Sequence, residues 1–246
     1  MKYVVVIATY NEAENIPALL LSILGLGPEY QAVVVDDSSP DGTAELVSQI
    51  AAEHGRVHLL KRPAKLGYGT AYLDGFREAL SMDADYIVQM DADYSHNPED
   101  VPRLIEAAQE ADLVIGSRYI GGGSVQDWPL QRRIISATGN FVARLLLGLP
   151  IRDCSGGFKC FTRATLESLD FAAIRSTGFA LHYEVYYLCY HAGKRFREIP
   201  IKFINRQAGE SKLSRKVILE ALTVMLRLRF KRNRAELNKG GVLPGQ

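Results

Sequence analysis

The sequence predicts an α/β fold with a mostly parallel sheet flanked by helices, and three observations support this prediction. Short apolar runs rich in Val and Ile alternate with segments whose apolar residues recur at three- and four-residue spacing. Strand and helix in alternation are typical of parallel strands joined by crossover helices. Polar clusters follow four of the apolar runs, at the edge where open α/β sheets bind ligands.

Five strands are predicted in the first half of the chain, from the runs YVVVIAT, AVVVDD, VHLLK, YIVQMDA and DLVIGS. Four helices are predicted between and after them, from ENIPALLLSIL, TAELVSQIAAEHG, GTAYLDGFREALS and PEDVPRLIEAAQEA. We expect Thr43 to cap the second helix after a ProAspGly turn, and Asn97 to cap the fourth, with Pro98 at its first position.

The pattern changes from about residue 121. WPLQRRIISATGNFVARLLLGL predicts an amphipathic helix, DCSGGFKCF a turn and a strand, GFALHYEVYYLCYHAG a helix and RFREIPIKFI a strand. A basic amphipathic helix, SRKVILEALTVMLRLRFKRNR, follows. We expect a single domain over residues 1–235 and a disordered tail over residues 236–246.

Composition narrows the range of functions. The formal net charge is only +1, so bulk electrostatics does not favour nucleic acid as a partner. The three cysteines are too few and too irregularly spaced for a disulfide framework or a zinc site. No apolar run reaches the roughly 18 residues of a membrane span, and the first apolar run is too short for a signal peptide. We expect a cytoplasmic protein that binds at most to a membrane face.

Asp91 and Asp93 follow the fourth predicted strand in MDADYSHNPED. Alternate residues of an extended segment point to one side, so the two carboxylates can face the same point. Such hard oxygen ligands suit Mg²⁺ or Mn²⁺, whose coordination is often completed by water and substrate phosphates. Turn or capping acids are the alternative, although Asn97 already supplies a cap.

Asp36 and Asp37 end the second predicted strand. The ProAspGly turn that follows explains residues 40–43, but it does not explain two acids at the strand end. Acids in that position commonly accept hydrogen bonds from a ribose hydroxyl or a base edge. A nucleotide is therefore a candidate ligand at this edge.

Eight motifs in order resemble the family 2 glycosyltransferases of GT-A (Rossmann-like) fold, and within them the dolichol- or polyprenol-phosphate mannose synthases. The motifs are ATYNEAENI, VVVDDSSPDGT, KLGYGTAYLDGF, MDADYSHNPED, GSRYIGGG, WPLQRRIIS, SGGFKCF and NRQAGESKLS. The resemblance implies inverting transfer of mannose from GDP-mannose to dolichyl or polyprenyl phosphate, with Mg²⁺ or Mn²⁺ as cofactor.

The resemblance also implies roles for individual residues. Asp91 and Asp93 are expected to hold the metal on the donor diphosphate, and Ser95 occupies the position where some relatives have a metal-binding glutamine. Catalytic roles are expected for Asp93, Arg118 and Arg132. The residues expected to bind the donor are Tyr10, Glu12, Asp36, Asp37, Asp91, Arg206 and Lys212.

Arg118, Arg132 and Ser136 match the positions that hold the acceptor phosphate in the family. Arginine suits this role because its rigid fork of donors fits phosphate oxygens. A surface ion pair remains an alternative for Arg132. Arg206 and Lys212 are expected to close over the diphosphate from a Gly- and Ser-containing loop, although a solvated basic loop would have the same composition.

No protein base is required by this interpretation, because an acceptor phosphate is largely deprotonated at neutral pH. His182 is expected to pack or hydrogen-bond, and Asp153 is a candidate sugar-contacting or supporting acid. The amphipathic helices could hold the lipid on a membrane surface or simply pack on the core, and a separate membrane subunit is a possible partner. Two alternatives stay open: a UDP-glucose-dependent polyprenyl-phosphate glucosyltransferase and a non-catalytic nucleotide-sugar-binding subunit.

Overall fold

The structure is a computed structural model that describes residues 1–204 and 215–239, with side chains given for residues 217–230 of the second range. The strands are β1 (Tyr3–Thr9), β2 (Tyr30–Asp36), β3 (Val57–Lys61), β4 (Tyr86–Gln89), β5 (Leu113–Ser117), β6 (Ser124–Val125), β7 (Lys159–Thr162), β8 (Phe196–Pro200) and β9 (Lys202–Phe203). The helices are α1 (Ile16–Leu24), α2 (Thr43–Glu53), α3 (Tyr68–Ser81), α4 (Val101–Ala107), α5 (Leu130–Leu147), α6 (Arg163–Glu167), α7 (Leu181–His191) and α8 (Arg215–Lys239).

Seven strands form the main sheet, in the order β3-β2-β1-β4-β7-β5-β8. All neighbours are parallel except β7, which runs antiparallel to both β4 and β5. Thr9 at the end of β1 pairs in register with Asp36 at the end of β2, so the loops that follow these two strands meet at one edge. The predicted mostly parallel α/β sheet is confirmed.

The core lies on both faces of the sheet, because alternate residues of a strand point to opposite sides. Val4 and Val6 of β1 pack with residues of α3, α5, α7 and α8. Val5 and Ile7 pack with residues of α1, α2 and α4 on the other face. Because β1 and β2 are buried on both sides, nearly all of their residues are apolar, mostly Val and Ile.

Two predicted helix caps can be compared with the structure. Asn97 caps as predicted, because its side chain accepts from the Glu99 N–H at 3.1 Å and Pro98 opens a 3₁₀ turn before α4. Thr43 does not cap α2 but is its first residue, after Gly42 at φ 89°. Gly42 is the N-cap and gives no side-chain cap, while the Asp41 carboxylate accepts from both the amide and the hydroxyl of Thr43.

Two predicted strands are shorter than expected. β4 ends at Gln89, so Asp91 and Asp93 lie in the following loop and not in extended strand. The predicted strand over residues 195–204 is divided into β8 and β9, and β9 pairs with β6 in a separate two-stranded sheet. Pro200 lies at the break, where it has no N–H to continue a ladder.

Some of the predictions for the C-terminal region concern residues outside the described ranges. α8 runs to Lys239, so the predicted start of the tail at residue 236 falls within this helix, and residues 240–246 lie outside the described ranges. Arg206 and Lys212 also lie outside them. No helix within residues 1–204 and 215–239 is long and apolar enough to cross a membrane.

Candidate active site

Three adjoining cavities lie on the carboxyl edge of the sheet and the helices beside it. The carboxylate cleft, about 220 Å³, is lined by Tyr10, Glu12, Asp37, Lys65, Asp91 and Asp93 among others. The arginine cavity, about 200 Å³, is lined by Asp91, Arg118, Trp128, Arg132, Ser155 and His182 among others. The apolar groove, about 460 Å³, is lined by Arg132, Ile135, Ser136, Val142, Ile218 and Met225 among others.

The cavities share walls. Tyr68, Asp91 and Phe179 line both the carboxylate cleft and the arginine cavity. Trp128, Arg132 and Tyr183 line both the arginine cavity and the apolar groove. One continuous path therefore leads from two carboxylates, past two arginines, to an apolar surface between helices.

Asp91 is held by two tyrosine hydroxyls. Tyr68 donates to its Oδ1 at 2.9 Å, and the Tyr72 hydroxyl, whose shorter hydrogen bond goes to the Met90 carbonyl oxygen at 2.8 Å, lies 3.2 Å from the same Oδ1. Both tyrosines belong to α3 and are 4.8 Å apart between ring centroids. Gly157 lies beside the other oxygen, where a Cβ would be only 3.2 Å from Asp91 Oδ2. The tyrosines thus fix the carboxylate and the glycine leaves space beside it.

Asp93 is 7% exposed, and its Oδ1 accepts from the Ser95 N–H at 3.1 Å. The Ser95 hydroxyl is buried in the same turn and has no hydrogen-bond partner in the described part of the chain. Tyr94 between them has φ 55°, a left-handed conformation, which folds the loop back sharply. An unpartnered buried oxygen next to two carboxylates is the donor chemistry that a hard cation selects.

Residues 1–204 and 215–239 contain no group of three or more His, Cys, Asp and Glu side chains arranged around a metal position. Mg²⁺ and Mn²⁺ do not require one, because they commonly bind through one or two carboxylates and take the remaining ligands from water and substrate phosphates. Asp91 and Asp93, with Ser95 beside them, fit an ion that is shared with a diphosphate.

Tyr10 and Lys65 form the outer wall of the carboxylate cleft. The Lys65 ammonium lies 3.4 Å from the centroid of the Tyr10 ring, a cation–π contact. Glu12 lies on the same wall and accepts from Asn15 at 3.0 Å. An aromatic face, an ammonium and a carboxylate at the end of β1 offer stacking, charge and hydrogen bonding to a nucleoside.

Asp36 and Asp37 have different environments although they are adjacent. Asp36 is fully buried, and its oxygens accept from the Thr9 hydroxyl and from the amide and hydroxyl of Ser39. Its carboxylate therefore organises the loop, which departs from the predicted contact to the donor. Asp37 lines the carboxylate cleft, where it pairs with Arg62 at 2.7 Å and accepts from the Gly67 N–H at 2.8 Å.

Arg118 forms a bidentate ion pair with Asp153. Its Nε and Nη2 donate to the two carboxylate oxygens at 2.8 and 2.7 Å, and Nη2 also donates to Ser155. Burial alone would raise the pKa of Asp153, but the Arg118 guanidinium holds that pKa below its ordinary value. Asp153, expected as a sugar-contacting or supporting acid, is thus the acid that neutralises Arg118 behind the arginine cavity.

Arg132 and Ser136 lie one turn apart on α5. The Arg132 guanidinium stacks 4.0 Å from the centroid of the Trp128 ring, which presents it to the arginine cavity and the apolar groove. The Ser136 hydroxyl accepts from Tyr119 at 2.7 Å. The structure therefore places Arg118 and Arg132 on the arginine cavity and Ser136 beside Arg132 on the apolar groove, and their role in holding a phosphate stays a prediction.

Histidines at the site are poor candidates for a general base. His96 stacks on Phe158 and its Nδ1 accepts from the Asp91 N–H at 3.2 Å. Burial lowers the pKa of His96. Burial, and then the neighbouring Lys159 charge, lower the pKa of His182 well below its ordinary value. Because a lowered pKa makes an imidazole a weaker base, both serve better as hydrogen-bonding groups than as general bases.

The structure also brings to the site four side chains that the sequence patterns did not identify: Arg62, Tyr68, Tyr72 and Lys159. Two of them carried a usable signal. Arg62 directly follows β3, so the strand-end rule applied to the other clusters places it at the same edge. Lys159 is a single cation within the apolar run of β7, which is unusual because unpaired charges are rarely buried.

Comparison with known proteins identifies relatives over most of the chain. The family model described as glycosyl transferase family 2 matches residues 4–170. An undecaprenyl-phosphate mannosyltransferase of Micrococcus luteus is 42% identical over 227 residues, 92% of this chain and 93% of that protein. A polyprenol monophosphomannose synthase of Mycolicibacterium smegmatis is 41% identical over 220 residues, 89% of this chain and 83% of that protein.

Two solved structures share the fold. Glucosyl-3-phosphoglycerate synthase from Mycobacterium tuberculosis, in complex with Mn²⁺, UDP and glucosyl-3-phosphoglycerate, is 19% identical with a TM-score of 0.64, covering 92% of this chain and 79% of that one. A mannosyltransferase from Pyrobaculum calidifontis, in complex with GDP-Man and Mn²⁺, is 16% identical with a TM-score of 0.56, covering 99% of this chain and 66% of that one.

Proposed function

Because the chain belongs to glycosyltransferase family 2, we propose that it transfers mannose from GDP-mannose to a polyprenyl or dolichyl monophosphate, with Mg²⁺ or Mn²⁺. The observation that carries this proposal is the continuous path of three cavities. Its chemistry changes from carboxylates to arginines to apolar helix faces, which is the order of donor diphosphate, acceptor phosphate and lipid. The names of the two curated relatives support the same acceptor class.

The donor occupies the carboxylate cleft in this proposal. Tyr10, Glu12 and Asp37 contact the nucleoside at the ends of β1 and β2. Asp91 and Asp93 hold the divalent cation, with Ser95 supporting it, and the bound cation neutralises charge on the diphosphate and on the leaving GDP. The presence of Mn²⁺ in both solved relatives agrees with this assignment. Arg206 and Lys212 remain proposed to cover the diphosphate.

The acceptor phosphate occupies the arginine cavity. Arg132 is the main phosphate contact, because its guanidinium is held on Trp128 at the cavity wall. Arg118 contributes from a position that is rigidly fixed and charge-compensated by Asp153. A fixed guanidinium costs no reorganisation when the phosphate arrives, which is the condition for efficient electrostatic stabilisation. Ser136, one turn from Arg132 at the wall of the apolar groove, offers a hydroxyl where this groove adjoins the arginine cavity.

The lipid occupies the apolar groove between α5 and α8, which opens directly from the arginine cavity. Both helices also expose large apolar side chains: Leu130, Ile134, Phe141 and Leu145 on α5, and Leu219, Leu222, Leu226 and Phe230 on α8. Together they form an apolar surface that fits a membrane interface. We therefore propose peripheral binding to a membrane, with the cytoplasmic face still a prediction.

Transfer requires no side-chain base. The acceptor phosphate has a second pKa near ~6, so one of its oxygens is already deprotonated when it attacks the anomeric carbon. The carbon–oxygen bond to the donor diphosphate breaks as the new bond forms on the opposite face, and GDP leaves. The residues of the path position the two substrates and stabilise charge, in agreement with the lowered pKa of His96 and of His182, which makes both imidazoles weak bases.

The experiment is transfer of labelled mannose from GDP-mannose to polyprenyl phosphate, measured as organic-extractable label, with Mn²⁺ or Mg²⁺. We expect transfer that EDTA abolishes. Asp93→Ala should reduce the rate by about 100-fold or more, because the charge that develops on the leaving group loses its counter-ion. The fold should survive, as measured by far-UV circular dichroism.

Two controls define the outcome. UDP-glucose in place of GDP-mannose tests the alternative glucosyltransferase, which no observation in the structure favours. Glu53→Ala, on the exposed end of α2, is the matched acid replacement and should transfer at the wild-type rate. Absence of mannose transfer, or more efficient transfer from UDP-glucose, would overturn the proposed donor. Full activity of Asp93→Ala would overturn the assignment of the cation site.

A further inference from the structure

A buried line of hydrogen-bonding groups ends on Asp91. Lys159 Nζ lies 2.9 Å from His182 Nδ1, and His182 Nε2 lies 3.4 Å from the Tyr68 hydroxyl oxygen. The Tyr68 hydroxyl in turn donates to Asp91 Oδ1 at 2.9 Å. We name these four residues the Lys159–Asp91 relay. It connects the centre of the sheet, where β7 lies, to the metal-binding corner of the carboxylate cleft.

Donors and acceptors in the relay can be assigned from one end to the other. Burial lowers the pKa of Lys159 to about 7; in its ammonium form Lys159 has only donors, and His182 Nδ1 then accepts. A neutral imidazole with an accepting Nδ1 carries its proton on Nε2, and Nε2 then donates to the Tyr68 oxygen. That arrangement leaves the Tyr68 hydroxyl proton for Asp91. Lys159, which donates at one end, and the Asp91 carboxylate, which only accepts at the other, therefore agree on one direction for the hydrogen bonds of the relay.

A purely structural role explains Lys159 poorly. Its side chain is fully buried, and no carboxylate lies within ion-pair distance of it in the described residues. Besides His182, its Nζ contacts the Tyr186 ring, 4.1 Å from the ring centroid. An apolar side chain of the same length would fill this space without the desolvation cost of a buried ammonium. A polar function at the other end of the relay would account for that cost.

We propose that Lys159 and His182 are positioning residues that act through Tyr68 to hold Asp91 for the divalent cation. This inference rests on the proposed function, because it assigns Asp91 as a cation ligand. Oδ1 faces the hydroxyls of Tyr68 and Tyr72, which would leave Oδ2, next to Gly157, for the cation. The relay keeps the carboxylate from rotating, as hydrogen-bonded partners of metal ligands commonly do.

The test measures Mn²⁺ binding in the presence of GDP, by electron paramagnetic resonance of the free ion. Lys159→Met keeps the length of the side chain and removes the donor, and Tyr68→Phe removes the last hydroxyl. We expect each to raise the Mn²⁺ dissociation constant by about 10-fold, the lower end of the range for partners of metal ligands. Because Lys159 acts through Tyr68, the double variant should bind Mn²⁺ no more weakly than Tyr68→Phe alone.

Two further variants separate positioning from loss of packing. Phe161→Leu disturbs the core from the same strand, β7, without touching the relay, and should lower the melting temperature while leaving Mn²⁺ affinity unchanged. His182→Gln retains a side-chain amide that can donate to Tyr68, whereas His182→Asn is too short to reach it. His182→Gln should therefore bind Mn²⁺ more tightly than His182→Asn, and this comparison remains informative if Lys159→Met fails to fold.

The outcomes distinguish the two proposals. If wild-type protein transfers mannose and binds Mn²⁺ with GDP, but Lys159→Met binds it equally well, the relay is wrong and the proposed function stands. The relay would also be overturned if the increases in the Mn²⁺ dissociation constant caused by Lys159→Met and by Tyr68→Phe multiply in the double variant. If wild-type protein does not bind Mn²⁺ with GDP, the cation assignment and the relay fail together.

Discussion

Arg118 is an almost fully buried cation beside the arginine cavity, and its burial lowers the stability of the fold. Its side chain is 8% exposed and its partner Asp153 is fully buried. Asp153 is also positioned by its neighbours, because the Glu198 carboxylate accepts from the backbone amides of Arg152 and Asp153. Removing charges from water is expensive, so the pair is maintained by geometry and by the additional hydrogen bonds it makes.

Replacing one member of this pair should therefore be far more harmful than replacing a member of an exposed pair. We expect Asp153→Asn to lower the free energy of unfolding by about 3–5 kcal/mol, because it leaves the buried guanidinium without a counter-charge. Arg195→Ala is the control, since Arg195 pairs with Asp112 but is 68% exposed, and should cost less than about 1 kcal/mol. Urea denaturation of both variants measures the difference. If both lose the same free energy of unfolding, burial does not have the role assigned to it here.

Residue-level predictions from the sequence were sound where position along a strand determines position in space. Asp91, Asp93 and Asp37 were expected at one edge, and all three line the carboxylate cleft. Asp36 could not be separated from Asp37 in this way, because which of two adjacent acids faces the cleft depends on the loop. Lys159 was not identified because its partners His182 and Tyr186 come from α7, distant in sequence.

At the scale of elements, Gly75 of α3 and Gly139 of α5 differ in how much space surrounds them. A Cβ on Gly75 of α3 would lie 2.3 Å from Val6 Cγ1 and 3.1 Å from Val35 Cγ2. Gly75 therefore allows α3 to pack closely on β1 and β2. Gly139 of α5 has no atom within 4 Å of the same position, so nothing in the described contacts requires glycine there.

The same substitution should consequently have opposite effects on the two helices. Gly75→Ala should destabilise the protein by about 1–3 kcal/mol through overpacking against the sheet. Gly139→Ala should stabilise it by up to about 1 kcal/mol, because alanine loses less backbone entropy in a helix. Thermal unfolding of the two variants provides the comparison. A stabilised Gly75→Ala variant would show that α3 is not in close contact with the sheet.

The order of elements was largely predictable, but one feature of the sheet was not. The strand and helix alternation predicted parallel pairing, and β1 to β4 follow it, as does β5 where it pairs with β8. Strand β7 enters between β4 and β5 in the antiparallel direction. Its four residues have no periodicity that distinguishes the two directions, so direction is determined by long-range packing and not by local sequence. The insertion places Lys159 at the centre of the sheet.

On the scale of the whole molecule, the two faces of the sheet differ in what covers them. The face with Val5 and Ile7 is covered by α1, α2 and α4. The opposite face is covered by helices that include α5 and α8, and these expose apolar stripes at helical spacing next to the apolar groove. A lipid acceptor bound in that groove would leave the protein on this side.

Membrane binding should therefore depend on this face alone. We expect the double variant Phe141→Glu with Leu145→Glu to bind vesicles of phosphatidylcholine and phosphatidylglycerol at least about tenfold more weakly than wild type, since each buried apolar side chain contributes about 1.5–3 kcal/mol. Phe141 and Leu145 are 64% and 70% exposed, so the fold should tolerate both changes. Co-sedimentation at several lipid concentrations gives the two binding constants.

The matched control lies on the opposite face. Leu21 of α1 is 52% exposed, and Leu21→Glu adds one glutamate, against two in the double variant, at the same kind of position, so it should bind vesicles like the wild type. Basic side chains such as Arg144 and Arg229 lie on the same two helices, and anionic lipid should therefore strengthen binding in a salt-dependent way. If Leu21→Glu and the double variant lose vesicle affinity equally, net charge controls binding and the apolar surface of α5 and α8 does not.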